Sequence, residues 1–383
     1  MKMMVNALSV TNPSGAQVLL GHLMQISAAV GQHIEIVLLV RSEQRQTFAA
    51  LNDRVSWRLA PGYTRHWIGR SWWERVHLRS FAYNEQIHVY FTPSGFAASG
   101  LPLRQIILCQ NPWAFVRAAR RRRDGFKAWL QRQVYAQAMK TADAMVFNSE
   151  FMQEQYHRQA GVKERLGIIA YQAPDSATLE RAKVLPLADR VPGQIVCVSV
   201  MGRHKNVETV LSALKQVQSK ELINDVRLHL VGSWPDRGYR RKIGRIISAL
   251  GLSEQVEIHG FVNRKRLEQF YAESLCFILM SRCESFGIPA IEAQAFGTPV
   301  ISSNVCAIPE ICGEGGLFFD PADVAGVAHA LERILTDPAY WNDYSMRARQ
   351  NATRFHWQQV SRPVVDLVAS YAKNPTATER KSL

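Results

Sequence analysis

The chain is short of negative charge and of long apolar runs. Its 383 residues hold 32 Asp and Glu against 46 Lys and Arg, a formal net charge of +14. That excess favours an anionic partner: nucleic acid, anionic lipid headgroups or a phosphorylated substrate. The longest apolar stretches, "IEIVLLV" (34–40) and "LCFILM" (275–280), fall far short of the roughly 20 residues of a membrane span. "MKMMVNALSV" at the start reads as a first strand, because no small-residue cleavage site follows it. The six cysteines, at 109, 197, 276, 283, 306 and 312, form no C-x-x-C pair and lie mostly in or beside apolar runs. Reduced thiols in a cytosolic protein are the expectation. Asp-x-Asp is absent, so the sequence does not suggest a metal-bound diphosphate. "GFAASG" (95–100) has phosphate-loop spacing but no Lys-Ser/Thr after it, and reads as a turn. There is no nucleophile elbow, no zinc spacing and no His–Glu–His helix. No metal ligands and no cofactor are expected.

What is present is alternation. Apolar, β-branched runs recur at 3–10, 34–40, 55–60, 88–93, 104–111, 144–149 and 166–171, with helical patterns such as "AQVLLGHLMQISAAV" (16–30) between several of them. A second series follows at 194–200, 227–233, 255–262, 275–280, 299–303 and 316–320. Fully apolar strands alternating with helices predict parallel sheets covered on both faces, hence α/β architecture with two Rossmann-like, doubly wound domains. The expected division is an N-terminal domain over 1–172, a polar, proline-containing linker over 173–193, and a C-terminal domain over 194–352. A C-terminal helix over 353–374, crossing back to the N-terminal domain, and a disordered tail over 375–383 complete it. Open parallel sheets bind ligands at the carboxyl ends of their strands, so two facing sheets predict a cleft between the domains.

The stretch "CESFGIPAIEAQAFGTPVISSN" (283–304) carries two glutamates eight positions apart, Glu284 and Glu292. Neither has a Lys or Arg within four residues on the helical side, so a local ion pair does not explain them. Pro289 and the helix formers after it predict a helix that Gly297 ends. Glu284 then sits on the loop over a strand end, and Glu292 in the first turn. The backbone amides of Ser285, Phe286, Gly287 and Ile288 would point at an anion, helped by the helix dipole. A carboxylate suits a vicinal diol, so a diphosphate flanked by two sugar rings fits the segment.

"ESFGIPAIE", followed by "AFGTPVISSNVCAIPEICGEGGLFFDPAD", resembles the E-x7-E region of the retaining family-4 glycosyltransferases of GT-B fold. The resemblance is strong over 194–323 and covers most of 3–372 in organisation. It implies a retaining, metal-independent hexosyltransferase. The enzyme would move a sugar from a UDP- or GDP-linked donor to a saccharide or lipid-linked acceptor in polysaccharide, lipopolysaccharide or glycolipid assembly. It further implies that Glu284 contacts the donor sugar, that Glu292 contacts the ribose, and that the amides of Phe286, Gly287 and Ile288 hold the diphosphate. "VSVMGRHKNVETVLSAL" (198–214) is similar to the family's basic strand–loop–helix. Lys205 matches its lysine, and Arg203 stands in for an arginine that an ungapped alignment places at Val200. Gly260, Phe261 and Val262 of "EIHGFV" (257–262) resemble the nucleobase contact. In the first half, Ser14 and Gly15 stand where the family has two glycines, and Gln110 and Asn111 where many members carry a histidine near the transferred sugar. Asn148 and Ser149 lie in a further similar segment, where capping of a helix is the reading for Ser149.

The remaining feature is "RAARRRRDGFKAWLQR" (117–132). Arg117, Arg120, Arg121, Arg122, Arg123, Lys127 and Arg132 are interleaved with Phe126 and Trp129 and preceded by Trp113 and Phe115. Basic residues beside aromatic ones suit an anionic membrane surface, with a solvated helical face as the alternative. Peripheral attachment to the inner face of the cytoplasmic membrane is the expectation. Competing readings are a basic nucleic-acid-binding protein, a non-catalytic scaffold of GT-B fold and a nucleotide-sugar epimerase. No familiar motif places the basic run in a nucleic-acid groove, so nucleic acid is not the expected partner.

Overall fold

Strand order decides where each half of this chain presents its chemistry. The computed structural model describes residues 1–11, 13–31, 33–120, 124–161, 167–184, 190–218 and 225–373. The chain divides into two units, one of Met1–Phe115, Arg122–Gln172 and Trp357–Leu383, the other of Val116–Arg121 and Ala173–His356.

The first unit holds β1 (Lys2–Asn6), β2 (Glu35–Val40), β3 (Ser56–Leu59), β4 (Val89–Thr92), β5 (Arg104–Cys109), β6 (Ala144–Phe147) and β7 (Ile168–Ile169). They lie parallel in the order β3-β2-β1-β4-β5-β6-β7. The second unit holds β8 (Gln194–Val198), β9 (Arg227–Val231), β10 (Val256–Gly260), β11 (Cys276–Leu279), β12 (Val300–Ser303) and β13 (Gly316–Phe319). These are also parallel, in the order β10-β9-β8-β11-β12-β13. Every apolar run read as a strand is one. β8 and β11 are buried throughout, which is why their sequences are continuous rather than alternating. In each sheet the winding reverses once, between β1 and β4 and between β8 and β11. Such a reversal leaves a crevice beyond the carboxyl ends of the two strands.

Helices cover the sheets with amphipathic faces. In Val207–Gln218 the buried Val207, Val210, Leu211 and Leu214 recur at helical spacing. The stretch 173–193 is not a plain connector. It contains the helix Ser176–Val184, whose Thr178 and Arg181 bond Glu268 of the helix Arg264–Glu273 at 2.7 and 2.6 Å. The long helical pattern after 323 forms three helices, Val324–Thr336, Pro338–Ala352 and Trp357–Lys373. Asp337 caps the second of them by accepting from the Tyr340 amide at 3.0 Å. The last one packs on the helix Pro13–Val30, where His22 Nδ1 meets Ser361 Oγ at 2.9 Å in a buried contact. "GFAASG" is a turn, as read. The tail 375–383 lies outside the described residues.

Candidate active site at the second winding reversal

Two loops leave the strands that flank the reversal in the second unit. The loop after β8 carries a 3-10 turn, Arg203–Lys205, and Asn206 closes it in the left-handed conformation at φ 54°. Asn206 is buried and locked. Its amide donates to the carbonyls of Met280 (3.0 Å) and Pro321 (2.7 Å), and its oxygen accepts from Arg282 at 2.9 Å. The Arg282 amide in turn donates to His204 O at 2.7 Å. These bonds tie the loop after β8 to the loop after β11. The result is a direct ion pair between Lys205 Nζ and Glu284 Oε1, with side-chain exposures of only 12% and 13%. Ser281 Oγ donates to the same carboxylate oxygen at 2.8 Å. Lys205 and Glu284, 79 positions apart, therefore meet across β8 and β11. Arg203 is not part of this contact. Its side chain is 62% exposed and its Nε pairs with Asp236 at 3.2 Å.

Beside Glu284 the helix Ile288–Ala295 begins. Gly287 is its N-cap, at φ 110° and with no side-chain cap bond, and Pro289 sits in its opening positions. A Cβ at Gly287 would lie 2.7 Å from Ile308 Cδ1, and the positive φ is costly for any other residue. Phe286 is buried edge-on against Phe355, with ring centroids 5.7 Å apart. The free thiols of Cys283 and Cys306 hydrogen-bond close by; that hydrogen bond and burial push the Cys283 thiol up, and the same hydrogen bond pulls Cys306 down.

Glu292 departs from the expected picture. It lies in the second turn of the helix, not the first, and faces inward. Arg264 Nη2 donates to it at 2.8 Å and the Tyr271 hydroxyl at 3.0 Å. Burial raises its carboxyl above the ordinary value, against the pull of Arg264 and Tyr271. Both glutamates thus have cationic partners, drawn from distant segments rather than from their own helix. Gly260 ends β10 at φ 68°, and Phe261 after it is 87% exposed. On the strands behind, His229, Glu257 and His259 come together. The sequence shows no such cluster, because its members sit on two strands at no ligand-like spacing.

In the first unit, Ser14 and Gly15 belong to the opening turn of the helix Pro13–Val30 rather than to a loop. A pocket next to them is lined by Thr11, Pro13, Arg41, Gln44 and Arg65; of these, Arg41, Gln44 and Arg65 drew no attention in the sequence. Gln110 is half-buried and Asn111 exposed after β5, where Asn111 Oδ1 accepts from the Trp113 amide at 3.0 Å. Ser149 caps the helix Glu150–Ala160 by accepting from the Met152 amide at 3.2 Å. Asn148 is fully buried. Of the basic run, Arg121–Arg123 lie outside the described residues. Arg117 and Lys127 are exposed, Arg120 is half-buried, and Lys127 lies 5.4 Å from the Trp113 ring centroid. Phe126 and Trp129 are not core: they stack at 5.8 Å and are 75% and 48% exposed. A second exposed apolar face, unremarked in the sequence, is formed by Trp67, Ile68, Trp72 and Val76 on the helix Trp67–Val76.

Residues 186–355 match the family model described as glycosyl transferases group 1. Over 209 residues the chain is 27% identical to the serotype-specific mannosyltransferase WbdA of Escherichia coli; the aligned part covers 54% of this chain and spans 25% of that relative. Among solved structures, sucrose-phosphate synthase from Thermosynechococcus elongatus superposes with a TM-score of 0.72 at 19% identity, covering 97% of this chain and 98% of that one. Anabaena HepE in complex with UDP-glucose superposes at 0.71 with 16% identity, covering 97% and 100%. The likeness establishes the GT-B fold.

Proposed function

We propose that the protein is a retaining, metal-independent hexosyltransferase of family 4 that uses a UDP- or GDP-linked sugar. The observation that carries this reading is the Lys205–Glu284 pair spanning β8 and β11 beside the uncapped helix start at Gly287. A sugar nucleotide suits that arrangement. The diphosphate takes the ammonium of Lys205 and the amides of Gly287 and Ile288, while Glu284 accepts from donor-sugar hydroxyls. As the glycosidic C–O bond breaks, negative charge grows on the β-phosphate, and fixed donors aimed there lower the barrier. The acceptor hydroxyl bonds to the sugar on the same face, and its proton goes to the departing phosphate. No side-chain nucleophile is needed. Ser285 and Phe286 complete the diphosphate loop, and Gly260, Phe261 and Val262 the base contact. Arg203 serves only if it leaves Asp236, and Glu292 reaches a ribose only if Arg264 releases it. HepE was solved with UDP-glucose, and WbdA is named a mannosyltransferase; both support a nucleotide-linked hexose.

The acceptor side, with Ser14, Gly15, Gln110 and Asn111, belongs to a saccharide or lipid-linked acceptor in surface-polysaccharide assembly. Among the described residues no helix is long and apolar enough to cross a membrane. We assign membrane attachment to basic and aromatic surfaces, the Arg117–Lys127 run and the helix Trp67–Val76. The test of the donor reading is a thermal-shift screen of UDP, GDP, UMP and GMP, followed by an assay for free UDP or GDP from hexose donors, with and without EDTA. A diphosphate that raises the melting temperature well above its monophosphate, and turnover that persists in EDTA, are expected. No response to either diphosphate overturns the proposal.

A further inference from the structure

β9 and β10 pair in parallel with His229 opposite Glu257; the register shifts between Ile258 and Gly260, and His259 at that irregularity turns its ring to the other two side chains. His229 Nδ1 and His259 Nε2 are 2.9 Å apart, and Glu257 Oε2 lies 3.7 Å from the first and 3.4 Å from the second. A triangle with these sides has its centre about 2 Å from each corner, the length of a bond from zinc to imidazole or carboxylate. An ion slightly off that plane would reach all three atoms with almost no movement. We propose that His229, Glu257 and His259 form a binding site for a transition-metal ion, zinc by chemical preference, that clips the edge strand β10 to β9.

The surroundings fit a built site. His229 has a side-chain exposure of 7%, His259 of 22% and Glu257 of 48%, so the site is anchored inside and open on its carboxylate side for water. Phe270 packs against both imidazoles, with ring centroids at 4.9 and 4.8 Å, and fixes their planes. Arg227 Nη1 lies 3.8 Å from Glu257 Oε1, which leaves Oε2 turned to the histidines. This is the outer contact that orients ligating carboxylates elsewhere. The 2.9 Å contact is also the one that two imidazoles make when they only hydrogen-bond each other. Arg227 and Arg266 also put positive charge nearby, against a cation. The experiment must therefore read the metal itself.

Cobalt(II) is the probe, titrated into the full-length protein at pH 7.5. The expected result is one equivalent bound, with weak visible d–d bands and no near-ultraviolet thiolate charge-transfer band, displaced by one equivalent of zinc. His259→Ala and Glu257→Ala should bind at least about tenfold more weakly, since loss even of an outer partner has that effect. Both positions are more open than His229, and circular dichroism melts confirm that the variants fold. Cys306→Ala should keep the spectrum. The proposal is overturned if no stoichiometric cobalt binds, if His259→Ala binds as tightly as wild type, or if a thiolate band appears and vanishes in Cys306→Ala, which would place the ion on Cys283 and Cys306.

Discussion

The two sheets reverse their winding in the same way and carry different chemistry there. At the second reversal the loops meet through an ion pair, Lys205–Glu284. At the first, the residues after β1 are held by side-chain amides and by the buried Arg41, whose Nη1 donates to Leu8 O at 2.8 Å. Asn6 donates to the Tyr90 hydroxyl on β4 at 2.8 Å and to Glu74 at 2.9 Å, and Gln44 donates to Ala7 O and Val10 O at 3.0 and 2.7 Å. Burial raises the Glu74 carboxyl. One unit thus presents a directly paired lysine and glutamate at its strand ends, and the other charges that hydrogen-bond to amides and main-chain carbonyls instead of to each other. The scaffold fixes where a ligand is met, and the loops decide what is met.

That contrast breaks if the pair proves dispensable. Lys205→Ala and Glu284→Ala should each lower turnover about 100- to 1,000-fold, the effect of removing one stabiliser of developing charge, roughly 3–4 kcal/mol. Initial-rate kinetics on folded variants check it. Near-wild-type turnover in Glu284→Ala would remove this residue from the chemistry.

A smaller effect separates charges that act from charges that hold. Arg264→Met leaves Glu292 buried without its cation. Breaking a fully buried pair costs about 3–5 kcal/mol; Arg264 keeps 36% side-chain exposure, so about 2–3 kcal/mol is expected, and Glu292→Gln in that background should recover part of it. The sign with pH follows from the raised carboxyl of Glu292. A raised pKa means that the folded state favours the protonated form, so the loss grows as pH rises through the folded value and shrinks on acidification. Urea unfolding at pH 5 and pH 8 reads this. An Arg264→Met penalty that is larger at pH 5 contradicts it.

In the first unit the corresponding buried charge problem is His22. Burial lowers its pKa to about 4 from an ordinary 6.5, and Ser361 Oγ meets its Nδ1 at 2.9 Å. The unfolded chain takes a proton below about 6.5 that the folded chain refuses, so stability falls as pH drops from 7 to 5, by about 2 kcal/mol from this group alone. His22→Leu should therefore lose less stability over that interval than wild type, measured by thermal melts. Parallel pH profiles would show that His22 is not the source.

How far the sequence reached depends on the kind of interaction. All thirteen strands among the described residues were legible, because parallel strands buried on both faces are written as continuous apolar runs. The position of Lys205 and Glu284 was legible as well, since a loop, a Gly-Ile-Pro turn and a helix leave few places for them. Their pairing was not, nor was that of Glu292 with Arg264: partners 79 and 28 residues apart leave no local spacing. The turn of Glu292 was misjudged by one residue, because the helix begins at Ile288 and Pro289 is its second residue, which makes Glu292 the fifth. His229, Glu257 and His259 were invisible for the same reason, since only strand register brings them together.

The smallest expected effect asks which surface carries the proposed attachment to lipid. The basic run offers Arg117 and Lys127, with Phe126 and Trp129 stacked in the open. The helix Trp67–Val76 offers more. Ile68, Trp72 and Val76 recur every four residues and so lie along one face, each at least half exposed, with Trp67 beside them at 66%. Arg65, Arg75 and Arg79 are exposed around them. Rings belong at headgroup depth and cations just above it. Each basic residue near an anionic surface contributes about 1 kcal/mol, and salt weakens that share while leaving the aromatic share in place. Trp67→Ser/Trp72→Ser should therefore reduce binding to phosphatidylglycerol vesicles at both low and high salt. Arg120–Arg123 changed to Ser should reduce it mainly at low salt. Co-sedimentation of wild type and both variants at two salt concentrations reads the difference. If the tryptophan variant pellets like wild type while the arginine variant does not, the Trp67–Val76 face is not the lipid contact, and attachment rests on charge alone.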